Sequence, residues 1–147
     1  CVRGFTTRRG GASAAPVDES NLGRGLGDDE AAVDENRKRL ARRLGFEVLF
    51  EVTQVHGGRV YTLDATSDPQ QVSTVEADAL VSDPSVPGAV CGRTADCVPI
   101  LIAHPPTGRV AAVHAGWRGA EAGVLNNVLG CLGHPGTELV AAVGPHI

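Results

Sequence analysis

Residues 97–119, CVPILIAHPPTGRVAAVHAGWRG, concentrate side chains that can do chemistry. Two apolar runs, Val98 to Ala103 and Val110 to Val113, flank Pro-Pro-Thr-Gly, whose residue types predict a hairpin loop. Pairing His104 with Arg109 places position 99 opposite 114, so Cys97 shares a face with His114 as a diagonal neighbour roughly 7–8 Å away. A slip of one residue would send the two to opposite faces. A thiol and an imidazole so placed are a candidate pair for chemistry, and Cys97 is equally at home as a small buried residue. Another histidine, His56 in VTQVHGGRV, stands between a β-branched run and a glycine pair. By itself it suits a hydrogen-bonded surface position at a strand end as well as it suits a ligand. Beyond His114, Arg118 at the start of an expected helix is a candidate anion or phosphate contact or a plain surface arginine. Trp117 either packs or offers a flat wall to a heterocycle.

The elements that must position these groups follow from pattern and punctuation. DDEAAVDENRKRLARRLGF carries acids in its first turn, bases in its last, helical spacing of Ala32, Val33, Leu40 and Leu44, and Gly45 as a stop. FEVLFEVTQV and RVYTLD read as strands joined by a tight turn at Gly57 and Gly58. SDPQQVSTVEADALVSDPSVPG reads as loop with a short strand near Ala79 to Val81, and AVCGRTADCVPILIAH resumes the sheet. Val124, Leu125, Val128, Leu129 and Leu132 trace one face of a helix preceded by glycines, whose N-terminus is expected close to His114. The opening GFTTRRGGASAAPVDESNLGRGLGDD suits a long, ordered loop.

Bulk properties bound the function. The chain has 147 residues, 42% hydrophobic and 20% charged, enough for an ordinary globular core. A net charge of −4 argues against a nucleic-acid backbone as partner and favours a small molecule. No apolar run approaches the roughly 20 residues that cross a bilayer, and no membrane partner is expected. Cys1, Cys91, Cys97 and Cys131 show no CxxC spacing, so a reducing, cytoplasmic setting is the expectation. The absence of Met and an ending on the apolar ELVAAVGPHI suggest a fragment of a longer chain.

Taken together, FTTRRGG, NLGRGLGDD with ENRKRL, TQVHG, ADALVSD, TADCVPILI, HAGWRG and VGPHI stand in the order and rough spacing of one family. From Phe5 to Pro145 the chain resembles the YfiH-like family, also called the laccase-domain or polyphenol-oxidoreductase family. The joint occurrence of TADC and HAGWRG is specific. The resemblance implies zinc held by His56, Cys97 and His114, with an open fourth position that marks a catalytic rather than a structural site. It implies purine nucleosides and phosphate as partners: phosphorolysis of adenosine, inosine, guanosine or methylthioadenosine, and hydrolytic deamination of adenosine. Arg8, Asn21 and Arg118 are then candidates for substrate or phosphate contacts, and Gln54 for orienting His56 or the purine. Asp96 is a weaker candidate partner of a ligand, since alternation turns it away from Cys97. Asp78 is equally well read as a turn residue. His104, His134 and His146 match no ligand position and are expected in loops or at the surface.

The implied fold is α/β (α+β), a layered sandwich of mixed β-sheets covered by helices, like the catalytic domain of cytotoxic necrotising factor. Family members continue past the Gly-Pro motif, so residues 1–147 are expected to be a single, incomplete domain of roughly the N-terminal two-thirds. His146 stands where the family usually carries a smaller residue or Cys. Three other readings compete. Cys97 as nucleophile with His114 as base would make an amide hydrolase of the deamidase or cell-wall-editing kind. A copper polyphenol oxidase ranks lower, because five histidines without an HxH motif supply one mononuclear site at most. A zinc-stapled interaction domain would need four protein ligands.

Overall fold

In the computed structural model, residues 3–17, 19–133 and 138–147 are described; Cys1 and His134 lie outside them. The helix expected to stop at Gly45 is α1 (Glu30–Leu44). Asp29 accepts the Ala31 N–H at 2.9 Å, and Gly45 ends the helix at φ 75°, a conformation that costs glycine no Cβ clash. This helix belongs to the first of two compact units, Val2–Glu47. Its buried residues are Val33, Ala41 and, between them, Asn36. The Asn36 amide donates to Ser13 Oγ at 2.9 Å and to the carbonyls of Glu19 and Asn21 at 3.2 and 2.9 Å, and it accepts the Ala12 N–H at 2.7 Å. One helical side chain thus organises the Gly- and Ser-rich opening as the ordered loop its composition anticipated. Ser13 and Asn21 both donate to the Asp28 carboxylate and hold it below the usual carboxylate range.

The second unit, Val48–Ile147, carries the remaining elements. In chain order they are β1 (Leu49–Phe50), β2 (Val60–Thr62), α2 (Pro69–Ser73), β3 (Ala79–Ser82), β4 (Ala89–Val90), β5 (Val98–His104), β6 (Arg109–Ala115), α3 (Trp117–Glu121), α4 (Val124–Leu132) and β7 (Val140–Val143). A mixed five-stranded sheet runs β2-β3-β6-β5-β7, and β1 pairs with β4 in a small parallel sheet. Within the large sheet β2 and β3 are parallel and the other neighbours antiparallel. Alternation along β3 builds two cores. Ala79 and Val81 join Ile100, Ile102, Ala111 and Val113 against Val124, Val128 and Leu132 of α4, while Leu80 joins Phe50, Val52, Leu63, Val72, Ala77 and Val86. The result is the layered α+β arrangement expected.

The β5–β6 hairpin has the anticipated register, with His104 opposite Arg109 and Pro99 opposite His114. Elsewhere the fold departs from the local pattern. β1 and β2 do not form a hairpin across Gly57 and Gly58; they lie in different sheets. The N–H groups of residues 55–57 are taken by the Asp78 carboxylate instead of a cross-strand partner. Within the stretch expected as loop, α2 is capped by Asp68, which accepts from Gln70 and Gln71, with Pro69 in the first turn. The helix expected over Val124 to Leu132 is α4, preceded by Gly123 at φ 74°, and the short α3 between it and His114 is an element the pattern did not announce. His104 is not a surface residue: it ends β5 at 1% exposure, its Nδ1 2.7 Å from Thr107 Oγ1. His146 is exposed, as anticipated, and donates to the Gly144 carbonyl at 2.9 Å. Among the described residues no helix is long and apolar enough to cross a membrane.

Candidate metal centre

At one end of the hairpin, Cys97 just before β5 and His114 near the end of β6 lie on a common face, as the register requires. The segment preceding β2 adds His56. The potential ligand atoms of His56, Cys97 and His114 all lie within 4.8 Å of one another. Cys97 Sγ is 3.9 Å from His56 Nδ1, and the two imidazoles meet edge to face with centroids 4.7 Å apart. Burial is graded: His114 is buried, Cys97 half-buried and His56 exposed, so the constellation has a floor and an open side.

Asp78, which precedes β3, lies beneath both histidines at 1% exposure. Its Oδ1 is 2.8 Å from His114 Nδ1 and accepts the His56 N–H at 2.9 Å. Its Oδ2 accepts the N–H groups of Gly57 at 2.7 Å and Val55 at 3.3 Å. Burial alone would push this carboxyl up; the bond from His114 and the three backbone N–H groups outweigh it and hold it below the usual carboxylate range. By its sequence context Asp78 fits a turn equally well. An aspartate directly ahead of the apolar Ala-Leu-Val that opens β3, a strand buried on both faces, is the signal that singles it out.

Glycines shape the space. A Cβ on Gly116 would come within 2.7 Å of His56 Nδ1 and 3.1 Å of Cys97 Sγ, so the cradle between the donors exists because residue 116 has no side chain. A Cβ on Gly119 would meet the Gly57 carbonyl at 2.9 Å, and one on Gly58 the Ala122 carbonyl at 2.5 Å, which is how α3 approaches the His56 segment. Asn127 of α4 adds a bond from its amide to the Gly58 carbonyl at 2.8 Å. Two imidazoles and a cysteine sulfur around a cradle open on one side suit a borderline ion with a vacant coordination position.

The Gln54 amide is engaged at both ends by the Arg93 backbone, at 2.7 and 2.8 Å, and so ties two loops together. Arg118 is exposed on α3, its guanidinium 4.9 Å from the centre of the Trp117 ring, and Trp117 is itself 71% exposed. α3 has five residues and stands between His114 and the expected helix, which is α4. Asp96 is exposed, and its carbonyl accepts the Ile147 N–H. Arg8 and Asn21 belong to the Val2–Glu47 unit. There the Arg8 carbonyl accepts from Glu19 and Ser20, and the Asn21 side chain closes a turn with Gly23 while donating to Asp28.

A mixed sheet packed between a helical layer and a second core, with a His–Cys–His cluster at the end of its central hairpin, defines an α+β protein with a candidate metal centre. The chain belongs to the family described as multi-copper polyphenol oxidoreductase laccase, which it matches over residues 2–147. It is 47% identical over 143 residues to a Pseudomonas aeruginosa protein named purine nucleoside phosphorylase, covering 97% of this chain and 55% of that one. It is 42% identical over 145 residues to the Escherichia coli purine nucleoside phosphorylase YfiH, covering 97% and 57%. Among solved structures it resembles the Neisseria meningitidis protein NMB0706, with TM-score 0.83 and 36% identity over 97% of this chain and 56% of that one. YlmD from Geobacillus stearothermophilus gives TM-score 0.81 and 33% identity, again covering 97% and 56%. The chain thus spans somewhat over half the length of these relatives.

Proposed function

We propose that this chain carries the metal centre of a zinc-dependent purine nucleoside phosphorylase that also deaminates adenosine. The observation that carries this reading is the convergence of His56, Cys97 and His114 over Asp78 in a chain whose relatives bear that name. The residues that would hold zinc are those three, and copper fits less well because one mononuclear cluster is found among the described residues. Bound zinc would supply Lewis acidity at neutral pH. Around it, His114 is held by Asp78 with one ring nitrogen engaged, which leaves the other for ligation. Cys97 serves as a thiolate. The exposed guanidinium of Arg118 is the phosphate contact we favour, with Arg8 a second candidate. Gln54 ties its segment to the Arg93 loop and Asn21 closes a turn with Gly23, and both act by shaping these segments. Inosine, guanosine and methylthioadenosine are further substrates in this reading, and a cytoplasmic setting accompanies it.

Product chromatography after incubating the zinc-loaded protein with adenosine, with and without phosphate, tests the proposal. Adenine that requires phosphate, or inosine that does not, is expected, and both should vanish in Cys97→Ala. A second reading, Cys97 as nucleophile with His114 as base in an amide hydrolase, has one observation in its favour: the thiol and a ring nitrogen of His114 lie within 4.8 Å of each other. No turnover of adenosine by verified zinc-loaded protein, together with rapid alkylation of Cys97, would favour it instead.

A further inference from the structure

Two features of the His–Cys–His cluster are not explained by the three side chains themselves. His56 has φ 59°, and it is the one non-glycine residue among those described in the left-handed region, a conformation that disfavours side chains with a Cβ. His114 is 4% exposed, yet its ring has to present a lone pair to any ion. Both features lead to the same carboxylate. Oδ1 of Asp78 contacts His114 Nδ1 at 2.8 Å and the His56 N–H at 2.9 Å, and Oδ2 takes the N–H groups of Gly57 and Val55. The backbone of Asp78 joins in, its carbonyl accepting the His114 N–H at 2.8 Å.

We infer that Asp78 is the positioning residue of the centre: it holds His114 as the Nδ1–H tautomer, turning Nε2 into the acceptor, and it locks His56 in its left-handed backbone. The consequence for metal affinity rests on the metal reading above; the tautomer does not. An ionised carboxylate is only an acceptor, so the nitrogen facing it has to carry the proton. The three converging N–H groups similarly need an acceptor on both oxygens. Asparagine is the informative replacement because it has nearly the same shape and one acceptor atom instead of two. Turning its NH₂ away from His114 would set it against Gly57 and Val55, whereas turning it toward His114 sets it against His56 alone. The second arrangement leaves fewer donors opposed. It also donates to His114 Nδ1, forcing the ring to the Nε2–H form and removing the lone pair an ion would use.

The test is ¹⁵N NMR of the His114 imidazole in the metal-free protein, wild type and Asp78→Asn, with a zinc competition titration on both. Expected are Nδ1–H in the wild type, Nε2–H in the variant, and zinc affinity lowered roughly 10- to 100-fold. An Nε2–H wild type would overturn the inference, and needs no variant to do so. A folded Asp78→Asn that keeps the wild-type tautomer and affinity would also overturn it. Should the variant not fold, the wild-type tautomer still decides. A wild type that binds no zinc while showing Nδ1–H and the expected switch would support the role of Asp78 and sink the metal reading alone.

Discussion

The centre depends on residues whose contribution is to be small or oddly bent. Gly116 has an ordinary φ of −72°, so alanine is tolerated by the backbone and acts only through its methyl group. That group would lie 2.7 Å from His56 Nδ1. Gly116→Ala is therefore expected to lower zinc affinity at least about tenfold, by disturbing the donors, while the metal-free melting temperature changes little. A chelator-competition titration beside a thermal melt separates the two effects. At His56, the left-handed backbone predicts that in metal-free protein His56→Gly is more stable than His56→Ala by about 1 kcal/mol, because only alanine pays for its Cβ. Denaturant unfolding of the pair checks this, and equal stabilities would mean that the backbone relaxes when the ring is removed.

At the scale of elements, the helices owe their places to different causes. α1 is defined by its ends: Asp29→Ala should cost about 1 kcal/mol through loss of the bond to Ala31, read as a lower urea midpoint at unchanged slope. α4 is defined by its buried face. Leu132 is 0% exposed in the core it shares with β3, β5 and β6, so Leu132→Ala should cost roughly 2–5 kcal/mol. The strands of that core also carry Cys97 and His114 at their ends, and loosening it should weaken zinc binding too. The hairpin positions these two residues because its register is held along seven paired positions, from Val98–Ala115 to His104–Arg109.

Across the whole molecule, two linkages follow. An ion that binds only the folded Val48–Ile147 unit stabilises it by about 2.7 kcal/mol when free zinc is 100 times the dissociation constant. Chelation should accordingly lower the melting temperature, and the shift should disappear in Cys97→Ala. The Val2–Glu47 unit has a separate dependence on pH. Asp28 is held below its ordinary range by Ser13 and Asn21, so its contribution is complete above the unfolded carboxylate value and is lost as pH falls through the lower folded value. Stability of the wild type measured against pH should thus fall more steeply in acid than that of Asp28→Asn.

Local chemistry sufficed for part of this protein. The register of β5 and β6 was legible because Pro-Pro-Thr-Gly and the strand alternation around it are adjacent in sequence, and α1 because its caps are its neighbours. The motifs around His56, Cys97 and His114 were enough to indicate the family. What sequence alone did not determine is how these pieces meet. Gly57 and Gly58 looked like a hairpin turn, yet the N–H groups of residues 55–57 answer to a carboxylate more than 20 residues away. β2 reaches β3 through a parallel pairing, which has no tight turn to announce it. Nor does any local pattern reveal that residue 116 must lack a side chain because His56 and Cys97 converge on it. Turns and caps are written between near neighbours; the shared carboxylate and the cradle arise only when distant segments pack, and tertiary structure alone decided them.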